Sequence, residues 1–283
     1  MKHSRIRVAA QATLVLFALS TSAAAQGTPD AARSDSADAV IRSMVGRLDF
    51  DRYKATVKGL TTFGDRRQGT DRNRAAVDWI EAQLRSYGCT NTERITYTYT
   101  PPAPVARAAG AAPPTAPTIR REQGGGRSRG MRTRTGVNVD SLRQPDARLR
   151  ALNAQPSTPG QRQEVYCTKV GSTHPEEMYL VGAHMDGHGW GEAANDDASG
   201  TALVMELARV FSSPDVVTDR SIRFILWNNE ETGLNGARAY VEQRFSMQGK
   251  ELPAGSGKYP EPKWLGMIQH DMMLFDQAGN PCR

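Results

Sequence analysis

The sequence predicts an α/β sandwich whose sheet is largely parallel and covered by helices. Three observations carry this. Apolar residues recur at helical spacing in some segments and alternate, or run unbroken, in others. The two kinds of segment succeed one another along the chain, which favours strands joined by helical crossovers. The stretch 222–227 is continuously apolar apart from Arg223, as a strand covered on both faces should be.

Taken in order, Val40, Ile41, Met44, Val45 and Leu48 have helical spacing. So do Ala75, Ala76, Trp79, Ile80 and Leu84, in a helix that stops near Gly88. Ile95, Tyr97 and Tyr99 alternate, as in a strand with one buried face. Residues 164–170 and 178–183 read as strands joined by a polar turn, 198–211 as a helix, 222–227 as a strand, 234–245 as a helix and 265–269 as a strand. No internal repeat is visible.

Two segments lie outside this pattern. Residues 1–25 have the order of a secretory signal: Lys2, Arg5 and Arg7, then a short apolar stretch over 8–19, then Ala23-Ala24-Ala25 before Gln26. The apolar stretch is too short to span a bilayer, so a secreted or periplasmic protein without a membrane span is expected, with 26–36 as a flexible lead-in. Residues 101–163 hold eleven arginines, no lysine and three acids, Glu122, Asp140 and Asp146, a net of 11 − 3 = +8. The whole chain carries +6, so the remainder sums to 6 − 8 = −2. Nine prolines and seven glycines share this segment, and such a composition buries too little apolar surface to offset chain entropy. It is expected to be a disordered insertion. No aromatic residues are interleaved with its arginines, so it lacks the stacking surface of a nucleic-acid binder, and no specific nucleic-acid partner is expected. Cys89, Cys167 and Cys282 are too few for a disulfide scaffold; one bridge and three separate thiols both fit.

Chemistry-bearing residues gather where strands end. The strand 178–183 runs into His184-Met185-Asp186, and Asn195-Asp196-Asp197-Ala198-Ser199-Gly200 opens a helix. The strand 222–227 leads to Glu230-Glu231, and 265–269 to His270-Asp271. Ligand sites of α/β sheets lie at the carboxyl ends of strands. Carboxylates crowded there repel one another and call for cations, and one imidazole among several carboxylates suits zinc. His188, flanked by Gly187 and Gly189, reads as a loop residue near the mouth of the site. His270 adjoins Asp271 on a strand, so its side chain is expected to face the other way.

Together, Gly-Ala-His-Met-Asp (182–186), Asn-Asp-Asp-Ala-Ser-Gly (195–200), Glu-Glu-Thr-Gly-Leu-Asn-Gly-Ala (230–237) and His-Asp-Met (270–272) resemble zinc peptidase family M28. The resemblance covers roughly 37–100 and 164–276 and includes Phe63-Gly64-Asp65-Arg66-Arg67-Gln68-Gly69-Thr70. It implies a three-layer α/β sandwich with a mixed, mostly parallel sheet, of zinc-dependent exopeptidase type. It implies a domain over 37–283, interrupted by 101–163, that acts on peptides. By position, His184, Asp196, Glu231 and Asp271 match the ligands of two zinc ions, with Asp196 bridging. Asp186 matches the carboxylate that fixes the imidazole tautomer. Glu230 matches the general base, and Asp197 follows where the family often has a cis peptide. Two such cations lie about 3.5–4 Å apart and share a water. The resemblance implies removal of N-terminal residues from peptides. Two alternatives are a glutaminyl-cyclase-like acyltransferase with one zinc and a non-catalytic binding domain. The family's second zinc also takes a histidine well beyond the aspartate matched by Asp271. The sequence stops at Arg283, twelve residues past it, so a domain lacking its C-terminal part is expected.

Overall fold

The computed structural model describes residues 29–100 and 140–274. The expected signal segment, Cys282 and most of the arginine-rich insertion lie outside the described residues. The chain forms two compact units, Met1–Gly46 and Arg47–Arg283. In the first, helix α1 spans Pro29–Val45.

The second unit begins with α2, Phe50–Thr61, capped by the Asp49 side chain, which accepts from the Asp51 and Arg52 amides. Helix α3, Asp71–Ser86, starts at Thr70, whose hydroxyl accepts from the Asn73 amide. It buries Ala76, Val77, Ile80 and Leu84 along one face. Full burial of a side chain the size of Ile80 or Leu84 contributes about 1.5–3 kcal/mol. Strand β1, Glu93–Tyr99, follows. After a 3-10 turn at Ser141–Arg143 come α4 (Ala147–Asn153), β2 (Gly160–Lys169), β3 (His174–His184), α5 (Gly200–Phe211), β4 (Arg220–Trp227), α6 (Asn235–Arg244) and β5 (Lys263–Gln269).

The sheet order is β1-β2-β4-β3-β5. Strands β3, β4 and β5 are parallel, joined through α5 and α6. β2 is antiparallel to both β1 and β4. The sheet is therefore mixed, as expected, with β1, β3, β4 and β5 running in one direction and β2 against them. Alternation along the strands splits the core into two layers. Val165, Cys167, Phe224 and Leu226 face α3 and α5, while Tyr166, Ile225 and Trp227 face α6. β5 is an edge strand, with Leu265, Met267 and Ile268 exposed. No helix among the described residues is long and apolar enough to cross a membrane.

Two expectations change. The insertion expected to be disordered over 101–163 is folded over 140–163. Asp146 caps α4 through the Arg148 and Leu149 amides, and Leu149 is buried. The arginines there are used as donors to carbonyls: Arg148 to Thr62, Arg162 to Thr158. Composition averaged over a long window conceals such specific partners. The cysteines are also resolved in part, because Cys89 and Cys167 form a disulfide within the α3/α5 core layer.

Candidate metal centre

The centre sits at the carboxyl ends of β3, β4 and β5. His184 ends β3 in parallel register with Trp227 of β4, so the loops after both strands converge. The His270 amide donates to the Gly182 carbonyl and fixes the end of β5 beside β3. These pairings place His184, Asp196 and Asp271 within 4.8 Å of one another, measured between one potential donor atom from each. His184 Nε2 lies 3.1 Å from Asp196 Oδ1 and 3.8 Å from Asp271 Oδ1. The imidazole is buried, whereas both carboxylates are partly exposed. One nitrogen and two oxygens so spaced, open to solvent on one side, could hold a divalent cation.

The turn Ala194–Ser199 before α5 supplies the next acids. The Asp196–Asp197 peptide is cis. Asp197 is buried and accepts from the Gly200 amide at 2.7 Å and the Met272 amide at 3.2 Å, so it joins the start of α5 to the segment after β5. Gly200 is required beside it: a β-carbon there would stand 2.5 Å from both carboxylate oxygens.

Asp186 is placed differently from the expectation. Its backbone carbonyl, not its carboxylate, lies 2.9 Å from His184 Nδ1; the carboxylate Oδ1 is 3.7 Å away. That carboxylate accepts instead from the Glu230 amide at 3.0 Å, tying the loop after β4 to the end of β3. Glu231 lies outside the His184–Asp196–Asp271 group and faces His188, with Oε2 2.8 Å from Nδ1. His270 is not among the residues brought together.

The charges are unbalanced. Burial disfavours the His184 imidazolium, but the neighbouring carboxylates of Asp186, Asp196 and Asp271 outweigh it and raise the pKa. The His184 hydrogen bond lowers that of Asp196 against burial. Burial pushes Asp197 up to about 7, against the pull of His184 and the Gly200 amide. Burial also raises Glu230, opposed by His184 and reinforced by Asp186, Glu231 and Asp271. Six carboxyl groups around two imidazoles form a site that a cation would relieve.

The residues that hold the loop 187–193 were not apparent from the sequence. Arg66 is fully buried and donates Nε to the Met185 carbonyl, Nη1 to Glu192 and Nη2 to Ala193. Asn153 donates to Gly191 and Gln144 to Trp190. The only sequence signal was the place of Arg66 in the motif 63–70. Beside Glu230 and Asp271 opens an apolar cleft of roughly 490 Å³, walled by Trp227, Leu234, Tyr240, Trp264 and Met267.

The fold and these carboxyl-end loops define a candidate metal-binding α/β domain. Residues 164–279 match the model of peptidase family M28. Aminopeptidase YwaD of Bacillus subtilis (strain 168) is 44% identical over 69 residues, 24% of this chain and 14% of that protein. A probable zinc metalloprotease of Pyricularia oryzae is 28% identical over 266 residues, 86% of this chain and 42% of that protein. Among solved structures, an aminopeptidase from Aneurinibacillus sp. strain AM-1 superposes with a TM-score of 0.52 at 20% identity, over 81% of this chain and 71% of that one; this likeness concerns the fold. The chain thus spans less than half the length of the two sequence relatives.

Proposed function

We propose that this domain is a zinc-dependent exopeptidase that releases N-terminal residues from peptides. The observation that carries the reading is the convergence of His184, Asp196 and Asp271, with Glu230 at the end of the neighbouring strand. The family match and the names of its relatives support it. One zinc position is assigned to His184, Asp196 and Asp271. A second is assigned to Asp196, as a bridge, and Glu231. When bound, such ions polarise the scissile carbonyl and acidify the attacking water.

The chain's own residues do the rest. Glu230 takes the proton of the attacking water and returns it to the leaving amine; its raised pKa suits both transfers. Asp186 positions Glu230 by accepting its amide, and the Asp186 carbonyl accepts from His184 Nδ1, leaving Nε2 free to ligate. The apolar cleft receives an apolar substrate side chain. Export is proposed as well, from the signal-like order of residues 1–25, with Gln26 as mature N-terminus; an intact Met1 in secreted material, read by mass spectrometry, would refute it.

The test compares Glu230→Gln with His184→Ala. Glu230→Gln should keep zinc near the parent level and lose about 10²–10⁴-fold in turnover of a leucyl chromogenic substrate, the usual worth of general acid–base catalysis. His184→Ala should lose zinc. Equal zinc loss in both would show Glu230 to be a ligand, and a parent that neither binds zinc nor hydrolyses the substrate would overturn the reading.

A further inference from the structure

We infer that Asn228 is a positioning residue: it fixes the loop after β4 that carries the proposed general base, Glu230. The inference rests on the metal-peptidase reading and adds to it the group that decides where Glu230 stands. The Asn228 side chain is fully buried and makes all four hydrogen bonds open to a primary amide. Its Nδ2 donates to Asn73 Oδ1 at 2.9 Å and to the Gln163 carbonyl at 2.7 Å. Its Oδ1 accepts from Asn73 Nδ2 at 3.0 Å and from the Asn229 amide at 2.8 Å. The two asparagine amides thus pair head to head, and the Gln163 carbonyl and Asn229 amide fix which way round Asn228 lies. Its backbone is held too. The Asn228 amide donates to Glu164 Oε2 at 3.3 Å, and the carbonyl accepts from the Tyr97 hydroxyl at 2.9 Å.

These contacts reach Glu230 through a loop closed on itself. The Asn228 carbonyl also accepts from the Gly236 amide at 3.1 Å, and the Asn229 carbonyl from the Asn235 amide at 3.0 Å. The Glu230 carbonyl accepts from the Gly233 and Leu234 amides at 2.8 and 2.9 Å. Gly236 lets the start of α6 close against the base of the loop: a β-carbon there would lie 2.2 Å from both the Asn228 carbonyl and Glu164 Oε2. Asn229 has φ 63°, in the left-handed region that asparagine tolerates better than most residues. Its amide is the one that Asn228 Oδ1 holds. One residue further on, the Glu230 amide is bound by Asp186 Oδ1. The chain is pinned at 228 and again at 230, with only Asn229 between.

Packing alone does not call for this arrangement. The positions that precede it in β4, Phe224 to Trp227, are buried and apolar. A buried amide contributes modestly when its bonds are made and is costly when they are not. What the amide adds is direction, because bonds to α3, to β2 and to the loop itself admit a single arrangement. Asn73 Nδ2 also donates to the Arg66 carbonyl at 2.8 Å, so the same pair joins the loop of Glu230 to the residue that braces 187–193. A displacement of about 1 Å in a reacting group can cost about 10²-fold in rate, which is what such a fixture prevents.

The experiment uses the full chain loaded with zinc and the leucyl chromogenic substrate. Asn73→Ala removes the partner of Asn228 without touching the loop. Assayed well below its melting temperature, it should lose about 10–100-fold in kcat, with KM and zinc content close to the parent's. Tyr97→Phe takes one hydroxyl from the Asn228 carbonyl and keeps the ring, so it serves if Asn73→Ala fails to fold. Loss of that one hydrogen bond should lower kcat about two- to tenfold. Hydrogen exchange of the metal-free protein gives a readout independent of activity: 228–235 should exchange faster in the variants while β3 keeps the parent's protection. A lower melting temperature with unchanged kcat makes Asn228 a packing residue and overturns the inference. Unchanged exchange over 228–235 overturns it as well. Zinc lost together with activity also overturns it, because the network then holds the metal rather than the base. If the parent hydrolyses the substrate, each of these failures leaves the peptidase reading standing. A parent without activity overturns both.

Discussion

Replacing Gly200 with alanine sets two effects against each other. Gly200 opens α5 with helical backbone angles, φ −66° and ψ −44°. Alanine at a helical position is favoured over glycine by about 0.5–1 kcal/mol. The added β-carbon would lie 2.5 Å from both oxygens of Asp197, about an ångström inside ordinary contact. Asp197 is buried and held by two amides, so it cannot swing away. Overpacking of this kind costs about 1–3 kcal/mol. The clash should win, leaving a net loss of about 0.5–2 kcal/mol. For a unit of this size each kcal/mol lowers the melting temperature by about 2–4 °C, so Gly200→Ala should melt about 1–8 °C below the parent. In an Asp197→Ala background the clash is gone, and the same substitution should raise the melting temperature. Thermal unfolding by circular dichroism of the four proteins reads both signs. If Gly200→Ala melts at or above the parent, or destabilises equally in both backgrounds, the argument from Asp197 is wrong.

Other expectations follow from particular residues. Burial pushes the Glu164 carboxyl up to about 8, so the folded state holds a proton that the unfolded state releases above its ordinary 4.5, and stability falls as pH rises between those values. Glu164→Gln removes that loss and should gain melting temperature relative to the parent at pH 8.5 but not at pH 4; a pH-independent difference would refute this. Arg66→Met strands the carbonyls of Met185, Glu192 and Ala193 and should cost about 3–5 kcal/mol, read by urea denaturation. Without reductant, the unfolded chain should titrate one thiol with Ellman's reagent; three would show that Cys89 and Cys167 are unlinked. Limited trypsin should spare Arg162, which is buried and bonded to Gln68.

The strand ends were legible because each couples an apolar run to a polar break: 178–183 before His184, 222–227 before Glu230. Parallel register then brings such ends together whatever the intervening loops do. What stayed hidden depends on contacts between loops. Asp186 was placed by type beside His184, but whether its carbonyl or carboxylate faces the ring is set by the Glu230 amide. His188 reads as a loop residue, and its approach to Glu231 needs two loops to meet. Helix α2 went unread because Leu60 is its one fully buried residue, and Gly59 in its last turn serves packing, against the Trp79 ring. The order of the 140–163 segment is hidden in the sequence because Arg162 owes its burial to Gln68, a partner distant along the chain.

The Cys89–Cys167 bond has a topological consequence. It closes a covalent ring of chain, 78 positions around, that contains β1, α4 and everything between them. The antiparallel β1–β2 ladder lies inside the same ring. A single cut anywhere in 101–139 therefore opens the ring without dividing the molecule. An engineered protease site placed there should yield one species on a non-reducing gel and two under reduction. Arg66 on the near side of such a cut, and the candidate metal ligands on the far side, stay covalently joined through the bridge.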